Sequence, residues 1–93
     1  MIPLSLSEVA TRLNSLPAWG VESGELVRTF SFKDFRAALS FVDHVGDLAE
    51  TAGHHPDIDI RYNKVRLALV THDAGGLTAK DFEMAAGIDA LAP

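Results

Sequence analysis

Three of the four histidines lie in two short segments, and histidine is the side chain that most readily exchanges protons near neutral pH. His54 and His55 belong to the segment Glu50-Thr-Ala-Gly-His-His-Pro56. His72 belongs to Thr71-His-Asp-Ala-Gly-Gly76. Imidazoles that meet at one place can supply both a general acid and a general base. The chemistry that these residues favour is therefore proton transfer.

The two histidine segments flank a predicted β-hairpin. Asp57 to Tyr62 alternates polar and apolar residues, which is typical of a half-buried strand. Lys64 to Val70 is a second strand with Val65, Leu67 and Leu69 on one face. Asn63-Lys64 between them predicts a two-residue turn, since asparagine tolerates a positive φ.

This turn fixes a register that would bring the histidines together. With Asn63-Lys64 at the turn, Ile58 faces Leu69, and the extended ladder places His55 opposite His72. Directly opposed residues have Cβ atoms about 4.5–5.5 Å apart. By parity, His72 should point away from the apolar face of its strand. Glu50, four residues before His54, could orient or charge an imidazole.

The remaining elements are predicted from caps and periodicity. Capping boxes, glycine C-caps and prolines mark helix ends, and Ser23-Gly24 predicts a second hairpin turn. The predicted elements are a helix from the capping box Ser5-Leu-Ser-Glu8 to Pro17, strands at Trp19 to Val21 and Glu25 to Phe32, a helix from Lys33 to Ala52 ended by Gly53, and a helix from Thr78 to about Ala92.

Helical spacing also predicts which faces are buried. In the long helix the apolar stripe leaves Phe41 and Leu48 outside it and consists of Phe35, Ala38, Leu39, Val42, Val45 and Ala49. In the last helix the inward residues are Phe82, Ala85, Ile88 and Leu91.

The element order α-β-β-α-β-β-α predicts an α+β fold. Two antiparallel hairpins give a four-stranded sheet, and three helices should cover one of its faces. The 93 residues suffice for one modest core, so residues 1–93 are expected to form a single domain.

Composition excludes several classes of protein. A net charge of −5, with scattered Lys and Arg, argues against nucleic-acid binding. The chain has no cysteine, so disulfides and thiolate chemistry are excluded. No apolar run approaches the ~18 residues of a membrane helix, and the first residues lack the basic region of a secretory signal. We expect a cytoplasmic protein without membrane association.

Other interpretations of the same residues stay open at this point. Three histidines can bind zinc, although adjacent side chains such as His54 and His55 diverge on an extended chain. Asp81 can simply be the capping-box acid of Thr78, Trp19 a core residue and Glu50 a solvated helix residue.

The chain resembles the pterin-4a-carbinolamine dehydratase family. The resemblance covers nearly the whole sequence, including Leu16-Pro-Ala-Trp19 and the segment Thr71 to Thr78. The family signature places an acidic or polar residue four positions before His-His-Pro, then an aromatic, a second histidine and an aspartate. The residues that match it are Glu50, His54, His55, Pro56, Tyr62, His72 and Asp81. Many members carry an aromatic two residues after His-His-Pro, where this chain has Ile58.

The resemblance implies dehydration of a 4a-hydroxytetrahydropterin to quinonoid dihydropterin, without a metal or organic cofactor. It implies His54 and His72 as the acid/base pair and His55 as the residue that holds the 4a-hydroxyl. Glu50 and Asp81 would orient them, Trp19 would belong to the site, and the pterin edge would meet Pro56 and the backbone of Thr71, His72, Asp73 and Ala74. It also implies a homodimer or homotetramer and a protein-binding alternative, because some relatives serve as coactivators or assembly factors.

Overall fold

The first helix, α1, spans Leu6–Leu13 in a computed structural model that describes residues 1–92. It begins at the predicted capping box. The backbone N–H of Glu8 donates to Ser5 Oγ at 3.2 Å, and the backbone N–H of Ser5 donates to Glu8 Oε1 at 2.8 Å. The hydrogen bond from the Ser5 backbone is the main cause that lowers the pKa of Glu8.

The first hairpin joins β1, Gly20–Glu22, to β2, Glu25–Ser31. Its turn is the predicted Ser23-Gly24 pair, and both residues have positive φ, 50° and 78°. Positive φ at both central positions gives a turn whose twist suits paired antiparallel strands. The strands begin or end within one residue of the prediction.

The long helix, α2, spans Phe35–Ala52 and follows the predicted ends closely. The side chain of Asp34 caps it by accepting from the Ala37 backbone N–H at 2.8 Å. Gly53 ends it in the left-handed conformation, with φ 65°. That conformation is the reason a glycine belongs at this position.

The buried face of α2 differs from the predicted stripe. Phe41, expected outside it, is only 4% exposed, whereas Phe35 and Leu39 are 47% and 39% exposed. Phe41 packs between two aromatic rings of the sheet side, with ring centroids 4.7 Å from Phe30 and 4.9 Å from Phe32. Because of these contacts, the face of α2 that packs against the sheet differs from the predicted one. Its buried residues are Ala38, Phe41, Val45 and Ala49.

The second hairpin joins β3, Asp57–Arg61, to β4, Lys64–Leu69, and its predicted turn is wrong by one residue. The turn is Tyr62-Asn63, with φ 51° at Tyr62. Asn63 is fixed to the end of β2, because its side-chain amide donates to the Phe32 carbonyl at 2.7 Å and its carbonyl accepts the Phe32 N–H at 2.9 Å.

The shifted turn moves the register of the second hairpin by two residues. Ile58 faces Leu67, not Leu69, and Ile60 faces Val65. A shift of two keeps the same residues on the same face, so the apolar side of the hairpin is the predicted one. The ladder no longer places His55 opposite His72, and that prediction is wrong.

The four strands form one antiparallel sheet in the order β1-β2-β4-β3. The last helix, α3, spans Ala79–Leu91, and Leu91 is 40% exposed rather than buried as predicted. Leu26, Leu67 and Leu69 of the sheet, all fully buried, join helix residues in one core. The architecture is the predicted α+β fold, with three helices and the element order α-β-β-α-β-β-α. None of the helices within residues 1–92 combines the length and apolar character needed to cross a bilayer.

Candidate active site

His54 is held at the point where α2 ends. Its backbone N–H donates to the Ala49 carbonyl at 3.2 Å, immediately after the left-handed Gly53. Its ring is largely covered, with 13% of the side chain exposed, and Nε2 lies 2.6 Å from Asp81 Oδ1. The end of α2 therefore directs this imidazole onto the first turn of α3.

Asp81 is a fully buried carboxylate at the start of α3. Its Oδ2 accepts the Thr78 backbone N–H at 2.9 Å and the Thr71 hydroxyl at 2.8 Å, while Oδ1 contacts His54. A buried carboxylate is stable only when it is paired and hydrogen-bonded, and Asp81 meets both conditions. It combines the capping role and the histidine contact that the sequence left as alternatives.

His72 follows the residue that anchors this network. Thr71 lies two residues beyond the end of β4, and the next residues, His72–Ala74, form a short 3-10 turn. Gly75 closes the turn with φ 74°, and its N–H donates to the His72 carbonyl at 3.0 Å. His72 and Asp73 are exposed. His72 is thus adjacent in sequence to a residue that touches Asp81, and it faces solvent, although from a turn rather than from a strand.

His55 pairs with Glu50 on the surface. Its Nε2 lies 2.5 Å from Glu50 Oε2, and both side chains are largely exposed. The sequence placed Glu50 one helical turn from His54. In the structure each imidazole has its own carboxylate, with Asp81 beside His54 and Glu50 beside His55.

Trp19 lies in the core, away from these contacts. Its Nε1 donates to Asp89 Oδ1 at 2.8 Å, and the same oxygen binds Arg28 Nη1 at 2.6 Å. Asp89 is eight residues beyond Asp81 on α3, which corresponds to about 12 Å along the helix. Trp19 therefore has a structural role in these contacts, and the His54–Asp81 pair does not include it.

Two of the remaining expected residues are close in sequence to the histidines. Pro56 directly follows the histidine pair, and Ala74 is the last residue of the 3-10 turn; both are half-buried. A cavity of about 210 Å³ also adjoins His54, with Lys80 and Glu83 as its charged residues and Leu48, Ala52 and Met84 as its apolar wall. These cavity residues were missed, because they come from two helices and form no sequence motif.

The tautomer of His54 follows from its hydrogen bond. A carboxylate can only accept, so the neutral ring must carry its proton on Nε2 and leave Nδ1 as an acceptor. Nδ1 has no partner among residues 1–92, and it is not buried. The arrangement can therefore accept a proton at a fixed, solvent-accessible nitrogen. No three His, Asp or Glu side chains within residues 1–92 are placed to share a metal ion.

Comparison with solved structures gives the class of protein. The fold matches a crystal structure of a transcriptional coactivator/pterin dehydratase from Brucella melitensis with a TM-score of 0.93 and 34% identity, covering 98% of this chain and 99% of the other. It also matches a pterin dehydratase-like protein identified as a RuBisCO assembly factor in the alpha-carboxysome, with a TM-score of 0.66, 27% identity and coverage of 80% and 86%. The fold is that of the pterin dehydratases.

Sequence comparison gives the family. The family model for pterin 4 alpha carbinolamine dehydratase matches residues 2–91. A relative from Chloroflexus aurantiacus is 62% identical over 88 residues, which is 95% of each chain. One from Acidobacterium capsulatum is 59% identical over 91 residues, covering 98% of this chain and 99% of the relative. Both are named "Putative pterin-4-alpha-carbinolamine dehydratase". The chain belongs to the pterin-4-alpha-carbinolamine dehydratase family.

Proposed function

We propose that this protein removes water from a 4a-hydroxytetrahydropterin to give the quinonoid dihydropterin. Family membership and the names of its relatives support a pterin dehydratase. The observation that carries the mechanism is the 2.6 Å contact between His54 Nε2 and the buried carboxylate of Asp81. It gives the site one imidazole with a set orientation and a free acceptor nitrogen.

The reaction is an elimination that needs two proton transfers. The bond from C4a to the hydroxyl breaks, the N5–H proton leaves, and a C4a=N5 double bond forms with release of one water. A general acid must protonate the departing hydroxyl, and a general base must accept the N5 proton. An imidazole of ordinary pKa, about 6.5, can perform either step near pH 7. No electrons pass to another molecule, so the reaction calls on no redox cofactor.

The proposed roles follow the surroundings of each imidazole. His54 accepts the N5 proton through Nδ1, because its Nε2 already carries a proton and donates it in a hydrogen bond to Asp81. His72, exposed on its turn, protonates the leaving hydroxyl. His55, held by Glu50, binds the 4a-hydroxyl. The pterin edge lies along Pro56 and the backbone of the turn that follows β4, from Thr71 through Asp73 to Ala74.

The test is dehydration of synthetic 4a-hydroxytetrahydropterin, followed by ultraviolet absorbance. We expect the wild type to accelerate the spontaneous reaction. The variants His54→Ala and His72→Ala should each lose about 10²-fold or more in kcat, as expected for the loss of a general acid or base. His44→Ala is the matched control, since His44 is exposed on α2 and its ring contacts the Ser40 carbonyl of the same helix.

Two results would reject this function. One is a folded wild type that is no faster than buffer. The other is acceleration that survives unchanged in both His54→Ala and His72→Ala, which would place the chemistry elsewhere.

A second candidate function is non-catalytic binding, as a coactivator or assembly protein. Two solved relatives are named for such roles beside their likeness to pterin dehydratases. The observation that favours it here is the outer face of α2, where Phe35 and Leu39 are 47% and 39% exposed. Phe41, which the sequence placed outside the apolar stripe of α2, is buried and cannot contribute to such a surface. The same face could hold a second copy of the chain in a dimer or tetramer.

A further inference from the structure

Two threonine hydroxyls lie behind the His54–Asp81 pair, and the elimination chemistry does not use them directly. Thr71 Oγ1 is 2.8 Å from Asp81 Oδ2 and 2.8 Å from Thr78 Oγ1. All three residues are buried. Thr71 follows β4 and Thr78 precedes α3, so the two hydroxyls join the ends of two elements beneath the site.

The direction of each hydrogen bond can be assigned. Thr71 has one hydroxyl proton, and it donates that proton to Asp81 Oδ2. The Thr78 hydroxyl must then donate to Thr71 across their 2.8 Å contact. The donors run in one direction, from Thr78 through Thr71 to the carboxylate. The Thr78 backbone N–H adds a second donor to the same Oδ2, at 2.9 Å.

This chain of donors determines how Asp81 can meet His54. Two donors occupy Oδ2, so that oxygen has no position for a proton of its own. Oδ1, the other oxygen, then faces His54 as an acceptor. A carboxyl group that rotated or took a proton could instead donate to the ring and reverse its tautomer. The two donors on Oδ2 oppose both changes, because they hold the group in place and their hydrogen bonds are stronger to an ionised carboxylate than to a neutral carboxyl group.

We infer that Thr71 and Thr78 are positioning residues, which hold Asp81 as a pure acceptor and so keep His54 in the tautomer that presents Nδ1 to the substrate. The inference rests on the proposed function for the expected change in kcat. The expected change in the His54 tautomer does not depend on that function. Neither threonine side chain contacts the substrate in this scheme.

The first measurement needs no variant of the hydroxyl chain and no substrate. Long-range ¹H–¹⁵N NMR at about pH 8.5, about two units above the ordinary imidazole pKa, reports which ring nitrogen carries the proton. The signals of His54 are assigned by their loss in His54→Ala. We expect the Nε2–H form in the wild type. The Nδ1–H form would overturn the inference.

The second measurement removes the Thr71 hydroxyl while keeping the side-chain shape. Thr71→Val should show a mixture of His54 tautomers and a kcat about tenfold lower, the size expected when one hydrogen bond to a charged group is lost. KM should change little, because the hydroxyl does not touch the substrate. Thr71→Ser restores the donor and should return both the tautomer and kcat to wild-type values.

Thr29→Val is the matched control, since Thr29 is exposed on β2 and makes none of these contacts. A Thr71→Val protein with wild-type tautomer and kcat would overturn the inference, and so would a Thr71→Ser protein as impaired as Thr71→Val. If Thr71→Val does not fold, the wild-type tautomer and the Thr71→Ser variant still decide. An inactive wild type with an Nε2–H ring, together with mixed His54 tautomers in Thr71→Val, would reject the dehydratase and support the hydroxyl chain.

Discussion

Asp81 serves two purposes with its two oxygens. Oδ2 closes the first turn of α3 by accepting the Thr78 N–H, and Oδ1 holds the ring of His54. A buried carboxylate in contact with an imidazole fixes both the ring orientation and the position of the ring proton. The chemistry proposed for the site therefore depends on which groups donate hydrogen bonds to Asp81. The sharpest test is a substitution that keeps the shape of this side chain but adds a donor.

Asp81→Asn should reverse the tautomer of His54. The side-chain oxygen of the new residue must stay with the Thr71 and Thr78 donors, so its NH₂ group turns to the ring and donates to Nε2. The proton then moves to Nδ1, and the proposed base loses its acceptor. We expect kcat to fall by about 10²-fold or more with KM little changed, measured in the dehydration assay.

The control for this prediction is Asp47→Asn, since Asp47 is an exposed acid on α2. Thermal unfolding checks that the asparagine variant at position 81 is folded. An unchanged kcat in a folded Asp81→Asn protein would show that the carboxylate does not set the state of His54.

At the scale of the elements, α2 shows how packing selects a helix face. Its sequence offers apolar residues around more than half of its circumference, and periodicity alone favoured Phe35 and Leu39 over Phe41. The aromatic rings of Phe30 and Phe32 decide the matter, because they provide a site of matching size for Phe41. Aromatic pairs at these separations add to the free energy gained from burial.

This difference predicts unequal costs for two phenylalanines on one helix. Phe41→Ala should lower the free energy of unfolding by about 3–5 kcal/mol, because it leaves a cavity in the core. Phe35→Ala, matched in chemistry but 47% exposed, should cost about 1 kcal/mol or less. Guanidinium unfolding, at a protein concentration low enough to keep the chain monomeric, measures both. Equal costs in the monomer would mean that the core does not favour Phe41 over Phe35.

At the scale of the whole molecule, the exposed apolar residues of α2 predict that the protein associates with a second chain. Phe35 and Leu39 are one helical turn apart on the same face, and within the described residues 1–92 their exposed fractions are 47% and 39%. Exposed apolar residues grouped in this way are typical of an interaction surface. A second copy would bury the same pair on both chains, as in a symmetric dimer.

We expect the wild type to be a dimer or tetramer and the double variant Phe35→Ser, Leu39→Ser to be smaller. Size-exclusion chromatography with light scattering measures the mass of each. The matched control is the double variant Arg36→Ser, Asp43→Ser, whose residues are also exposed on α2. A monomeric wild type at about 100 µM would contradict self-assembly. A monomer that co-elutes with another protein would favour the binding role.

Much of the fold was predictable because its signals are local. The Ser5 to Glu8 capping box, the Ser23-Gly24 turn and the Gly53 C-cap each depend on residues within a few positions of one another. Hydrogen bonds of that range form wherever the local sequence permits them. The element order and the α+β class followed from these signals, and the histidine motif indicated the family.

The sequence by itself thus determined the order of the elements and the apolar face of the second hairpin, and it indicated the residues that we propose for proton transfer. Only the tertiary structure decided which partners they meet. The second hairpin took its register from the contact of Asn63 with Phe32, 31 residues away. His54 pairs with Asp81 of α3, 27 residues further along the chain, and Glu50 pairs with His55 instead. Such contacts depend on how whole elements pack, and no short-range pattern specifies that.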